Sequence, residues 1–209
     1  MPLGRACALI FAISQHDIQN TPEDRIQYHE YKIILQPQHF TSPQAFKDFW
    51  QIVKTTAKKY DVKVKEAEAA FESHVREVLF FDTEDFALYR NHFIFRLRTR
   101  YKGGWPDGIP EVTFKFRHPE FEKAAAVDVR PGASGGIARI KFKEEFLPMR
   151  ETLGGKRSIF SHNCVLAKPR EDLDMAVKDL AAAFPAVETL EANHESPLRL
   201  VNDMAVEEV

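Results

Sequence analysis

The chain carries only two cysteines in 209 residues, Cys7 and Cys164, with no CxxC spacing, so no disulfide framework is written into it and a reducing cytoplasm is the expected compartment. Its eight histidines are scattered, and none pairs with a cysteine at zinc spacing. No apolar run approaches the length of a membrane-spanning helix. The stretch Ala-Cys-Ala-Leu-Ile-Phe-Ala-Ile at 6–13, behind a single Arg5, is too short and too weakly flanked for a secretory signal. Internal repeats and low-complexity tracts are missing as well. Lysine and arginine total 29 against 31 acidic residues, which is not the basic excess of a general nucleic-acid binder. These absences point to a soluble protein that meets neither membrane nor nucleic acid. Residues 1–24 read as a loosely packed leader, closed by the turn-rich Gln19-Asn20-Thr21-Pro22, and residues 25–209 as one domain.

What the chain does have is cations alternating with aromatics. In Phe93-Ile94-Phe95-Arg96-Leu97-Arg98-Thr99-Arg100, the arginines fall on one face of a strand and Phe93, Phe95 and Leu97 on the other. Val112 to Arg117 repeats the pattern with Lys115 and Arg117 against Phe114 and Phe116, and residues 140–143 repeat it with Lys141 and Lys143 against Ile140 and Phe142. One such strand is an ordinary solvated face. Three in succession stack like charges, which repel across paired strands, so an anionic ligand is the simplest compensation. Phosphate chains suit such a wall. A single-stranded RNA reader fits less well, because the aromatics alternate away from the cations and stacking and phosphate contacts would lie on opposite faces.

The remaining elements follow from pattern and punctuation. Residues 27–35 read as a strand ending before Pro37, with Tyr28, Glu30 and Lys32 on one face. Ser42 and Pro43 open a helix whose stripe of Phe46, Phe49, Trp50, Val53 and Ala57 reads as core packing. Residues 74–81 form the next strand, and Asp82-Thr83 turns into a short helix through Leu88. Gly103 to Gly108 reads as a loop. Strands are expected over 126–130, 137–146 and 158–166, with Pro131 to Gly136 turning between the first two. A helix follows over 171–184, with Leu173, Ala176, Val177 and Leu180 inward, and then a strand-like tail from Pro197. Ser161, His162 and Cys164 are close in sequence, but a catalytic triad is a matter of spatial geometry and adjacency does not make one.

Phe80-Phe81-Asp82-Thr83-Glu84-Asp85-Phe86-Ala87-Leu88, followed by Phe93 through Arg98, resembles the YFDTP…L…LRxR signature of the CYTH superfamily, the triphosphate tunnel metalloenzymes. The order of motifs agrees: Tyr28, Glu30 and Lys32 stand where that family has ExExK, and Lys115-Phe116-Arg117 where it has KxK or KxR. The likeness extends from about residue 27 to residue 150. It implies an α+β fold built on an antiparallel β-barrel, of the tunnel type and here incomplete, with flanking helices. It also implies roles. Arg96, Arg98, Lys115 and Arg117 would contact phosphate oxygens, and Lys32 would steady the chain from the first strand. Arg130 and Lys143 would add further phosphate contacts. Glu30 and Lys32 would form the catalytic pair, and Glu30 with Glu145 or Glu144 would hold Mg²⁺ or Mn²⁺.

Two departures temper the implied chemistry. Tyr28 stands where the first glutamate of ExExK belongs, and the C-terminal strands that carry a further glutamate pair in the family have no counterpart before Val209. Either the barrel is incomplete or the chain is a fragment. The implied function is a metal-dependent phosphohydrolase for an inorganic or organic triphosphate. Its rivals are a phosphate-binding module without turnover and an adenylate cyclase of the same superfamily.

Overall fold

In a computed structural model the described residues are 7–14, 25–66, 71–132, 138–149, 151–152, 154–167 and 175–208. Eight strands make one sheet: β1 (Cys7–Ser14), β2 (Tyr28–Leu35), β3 (His74–Asp82), β4 (Phe93–Lys102), β5 (Trp105–His118), β6 (Arg139–Pro148), β7 (Lys156–Ala167) and β8 (Arg199–Glu208). Their spatial order is β1-β2-β6-β7-β5-β4-β3-β8. Every pairing is antiparallel except β2 with β6. The fold is therefore α+β, with a curled, mostly antiparallel sheet of half-barrel form and few helices. β1 and β8 are its two edges.

Alternation divides the sheet into two unlike faces. Phe93, Phe95 and Leu97 of β4, Val112, Phe114 and Phe116 of β5, and Cys164 and Leu166 of β7 are buried together. Over them lie α4 (Val177–Ala183) and the following 3-10 turn (Pro185–Thr189), which contribute Val177, Leu180, Phe184 and Val187. Phe114 is fully buried, with its ring stacked 4.4 Å from that of Phe184. Removing large side chains from water at about 25 cal/mol per Å² makes this layer the main source of stability. It also fixes the sheet's register, since a one-residue slip would send the phenylalanines into the opposite face.

The β4–β5 connection is tighter than the expected loop. Lys102 pairs with Trp105, leaving only Gly103 and Gly104 at the tip, with φ of 59° and 85°. Two successive positive φ angles are what a two-residue turn compatible with strand twist requires, and glycine supplies them without strain.

Asp82 and Thr83 shape the turn that follows β3. The buried Asp82 carboxylate accepts hydrogen bonds from the backbone N–H groups of Thr83, Leu88 and Tyr89 at 2.8–2.9 Å. Thr83 Oγ1 accepts one from the Ala87 N–H at 2.8 Å and donates to Asp85 at 2.7 Å. These bonds satisfy donors that the short helix α2 (Ala87–Arg90) cannot satisfy itself. The motif therefore shapes the β3–α2–β4 corner and sets where the arginines of β4 begin.

Several expectations need correction. Cys7–Ser14, placed in a loose leader, pairs along all of β2 instead. The stripe of α1 (Pro43–Lys59) is not core: none of its residues is buried, and Phe46 and Phe49 pack on Phe40 with ring centroids 5.1 and 5.6 Å apart. Residues 126–130 form no strand. Phe121–Ala125 is instead a short helix, α3, and only Val129 of the following segment is fully buried. Helix α4 starts at Val177, because Ala176 is in a β-bridge with Pro197. Leu173 and most of the expected Pro131–Gly136 turn lie outside the described residues.

Replacing Asp82 by Ala should cost about 3 kcal/mol, since it strands three backbone N–H donors that had a buried carboxylate acceptor. Urea unfolding checks this, with Asp82→Asn expected to recover part of the loss through its one remaining carbonyl oxygen.

Candidate anion-binding face

Strand register collects the cations on the face opposite the phenylalanine core. On β4 and β5, Arg96 pairs with Thr113 and Arg98 with Glu111, while Ile94 pairs with Lys115. Across β7, Lys115 and Lys141 both oppose Asn163, and Arg117 and Lys143 both oppose Ser161. Glu30 of β2 is in register with Glu145 of β6, and Tyr28 with Lys143. Lys32, Arg96, Arg98, Lys115, Arg117 and Lys143 therefore share one face. Arg76 joins them through its pairing with Arg100.

Glu145 is the centre of this face. Its carboxylate, 1% exposed, accepts from Lys32 Nζ at 2.5 Å, Lys115 Nζ at 2.6 Å and an Arg117 guanidinium nitrogen at 2.9 Å. Lys115 and Arg117 lie on β5, two strands from β6, or roughly 10 Å across a flat sheet. Ion pairs at that separation require the side chains to lean toward one another across β7. Small Ser161, fully buried on the intervening β7, leaves room beneath them. Lys143 is held in turn by Glu30 at 2.7 Å, and Lys32 lies 3.4 Å from Glu30.

Burial opposes the charge of Glu145, but Lys115, Arg117 and Lys32 outweigh it and hold the carboxyl well below the usual range. Burial likewise opposes ionisation of Glu30, and the bond and charge of Lys143, with Lys32, bring it below its ordinary value. Lys115 behaves differently. Burial dominates, Arg117 and Lys32 add repulsion, and even with Glu145 beside it the ammonium is pushed down to about 8. The face thus holds two firmly ionised carboxylates among cations, one of which gives up its proton unusually easily.

Two expected residues stand elsewhere. Glu144 points to the opposite face, where it accepts from Ser158 Oγ at 2.6 Å and lies 3.1 Å from His29 Nδ1. Successive strand residues alternate, so Glu144 cannot share a site with Glu145. Arg130 follows the buried Val129 on the core side and forks onto Asp128 at 2.6–2.9 Å. The ion pairs of Glu30 and Glu145 given above do not include it. Ser161 and His162 also part: Ser161 is on the basic face, while His162 packs against Phe142 with centroids 5.0 Å apart. Sequence reasoning missed Arg76, although it is in phase with Val78 and Phe80, and missed Asn163, whose side chain donates to Ser161 Oγ at 3.0 Å.

Glu30 and Glu145 are hard oxygen donors, ionised and in register, which suits Mg²⁺ or Mn²⁺. Among the described residues no group of three or more His, Cys, Asp or Glu side chains is placed to hold a metal ion. As a pair Glu30 and Glu145 offer fewer oxygens than the octahedral set that Mg²⁺ takes, so a cation held there would have to draw the rest of its coordination from elsewhere. No family model, curated protein or solved structure matches the chain.

Lys115 makes a pH prediction. Its folded value of about 8 lies below the ordinary 10.5, so between those limits the unfolded chain holds more protons and this group's contribution to stability rises with pH. Wild type should gain on a Lys115→Met variant by up to roughly 3 kcal/mol as pH is raised from 8 to 10.5. Urea unfolding across that range measures the difference, and a flat difference would mean that the ammonium titrates normally.

Proposed function

We propose that the basic face binds the phosphate chain of a triphosphate-containing small molecule, and that the protein is a metal-dependent phosphohydrolase of the triphosphate-tunnel type. The observation that carries this reading is the in-register carboxylate pair Glu30 and Glu145 set among Lys32, Lys115, Arg117 and Lys143 on one face of the curled sheet. Phosphoryl transfer asks a protein for positioning and charge stabilisation more than for covalent chemistry. Arg96 and Arg98 extend the cationic surface along β4, so a chain of several phosphates has a track to follow. Mg²⁺ or Mn²⁺, when bound, would neutralise charge on the phosphate oxygens. Lys32, in contact with both carboxylates, would orient that end of the chain.

A second reading is a module that binds phosphate without turning it over. It is favoured by Tyr28, which occupies a carboxylate position of the motif and instead places its ring 5.3 Å from Lys141 Nζ. One titration and one assay separate the two. Calorimetry with tripolyphosphate should show binding, and Arg98→Ala should weaken it by about 1.5–3 kcal/mol in a folded protein through loss of a charge-assisted hydrogen bond. Phosphate release with Mg²⁺ or Mn²⁺ then selects the phosphohydrolase, and binding with no release selects the module. Absence of binding ends both.

A further inference from the structure

Glu145 already fills the place that an anion would take. Its carboxylate sits within 2.9 Å of Lys32, Lys115 and Arg117, and its two oxygens are shared among the three cations. Resting on the phosphate reading, we propose that Glu145 is an internal competitor anion, so that the face selects the divalent-metal complex of a phosphate chain and discriminates against the free polyanion.

The argument is one of charge and donor count. A free polyphosphate reaching this face meets cations that each already spend a donor and much of their charge on Glu145, and it must displace that carboxylate or bind beside it with its own negative charge close to that of Glu145. Displacement alone leaves a buried carboxylate without partners, next to Glu30 and next to the incoming negative charge, which is a costly state. A divalent cation arriving with the phosphates removes both penalties. Glu145 exchanges its ammonium and guanidinium partners for the metal, and the three cations pass to phosphate oxygens. Ion pairs are exchanged for ion pairs, and no charge is left unpaired. Glu30 stands in register to take part, and Lys32, between the two carboxylates at 3.4 and 2.5 Å, is the group whose position must change first. Linkage makes the effect reciprocal: metal must raise phosphate affinity by the factor by which phosphate raises metal affinity.

The test reads binding and needs no turnover. Calorimetry with tripolyphosphate is run on the full chain in EDTA and in Mg²⁺, for wild type and for Glu145→Gln, which keeps the shape of the side chain and removes its charge. Wild type should bind on the order of tenfold more tightly with Mg²⁺, a difference of about 1.4 kcal/mol. Glu145→Gln should bind the metal-free anion more tightly than wild type and lose most of its response to Mg²⁺. Should that variant fold poorly, Lys32→Met, which frees one Glu145 contact, should reduce the metal-free affinity and leave the Mg²⁺ enhancement in place. Equal wild-type affinity in EDTA and Mg²⁺, or weaker metal-free binding by a folded Glu145→Gln, would overturn the competitor role and leave phosphate binding standing. If no variant binds tripolyphosphate under either condition, the phosphate reading itself fails.

Discussion

The ionised carboxylate of Glu145 is the interaction on which the whole basic face depends. Without a buried anion, Lys32 of β2 and Lys115 and Arg117 of β5 would converge as like charges on one point of β6 with nothing to offset their repulsion. Glu145 ties β6 to β2 on one side and, across β7, to β5 on the other. Its cost is desolvation, and only three cationic donors on one carboxylate make that cost tolerable. Lys115 shows how narrow the balance is, since its ammonium remains easily deprotonated even beside Glu145.

The opposite face supplies the rigidity that this arrangement needs. Phe93, Phe95, Phe114 and Phe116 are locked against α4 and the following turn, with Phe114 stacked on Phe184. Because side chains alternate, holding the phenylalanines inward holds the arginines and lysines outward with no further device. The Asp82–Thr83 corner completes the frame by fixing the entry of β4. A residue type prominent in the family-like motif thus acts through backbone geometry, one step removed from any ligand.

The two faces were legible in the sequence because a period of two is a strong signal over strands such as Phe93–Arg100, and register then brought the faces of β2, β4, β5 and β6 into coincidence. The same rule separated Glu145 from Glu144, a choice that adjacency in sequence left open. Arg130 was misplaced because Asp128 and Arg130 alternate like strand residues, whereas the chain there is irregular and Val129 is held in the core by tertiary packing. Cys7–Ser14 was misread because a short apolar run without capping or turn signals is ambiguous until a partner strand exists, and β2 is that partner. The α1 stripe failed for the opposite reason. Its amphipathic period is real, but the face is covered by local neighbours, Phe40 and the segment of Glu66, which accepts from the Trp50 indole at 2.8 Å.

Tyr28 puts a neutral side chain where a carboxylate would change the electrostatics of the whole face. In register with Lys143 and beside Lys141, a glutamate there would have added a third negative charge to Glu30 and Glu145 and drawn Lys141 or Lys143 into its own ion pair. The tyrosine ring offers Lys141 only the weaker attraction of a π face. Lys143 accordingly pairs with Glu30, and the charge of Lys141, already disfavoured by burial and by Arg139 and Lys143, is left without a carboxylate in hydrogen-bonding contact among the ion pairs described. With tyrosine at this position the β2–β6 end of the face carries less negative charge than it would with glutamate. On the phosphate-binding reading proposed above, that difference would favour an anion and leave fewer carboxylate ligands for a divalent ion, so the two would be coupled through what the ligand brings with it and not through a third carboxylate of the protein.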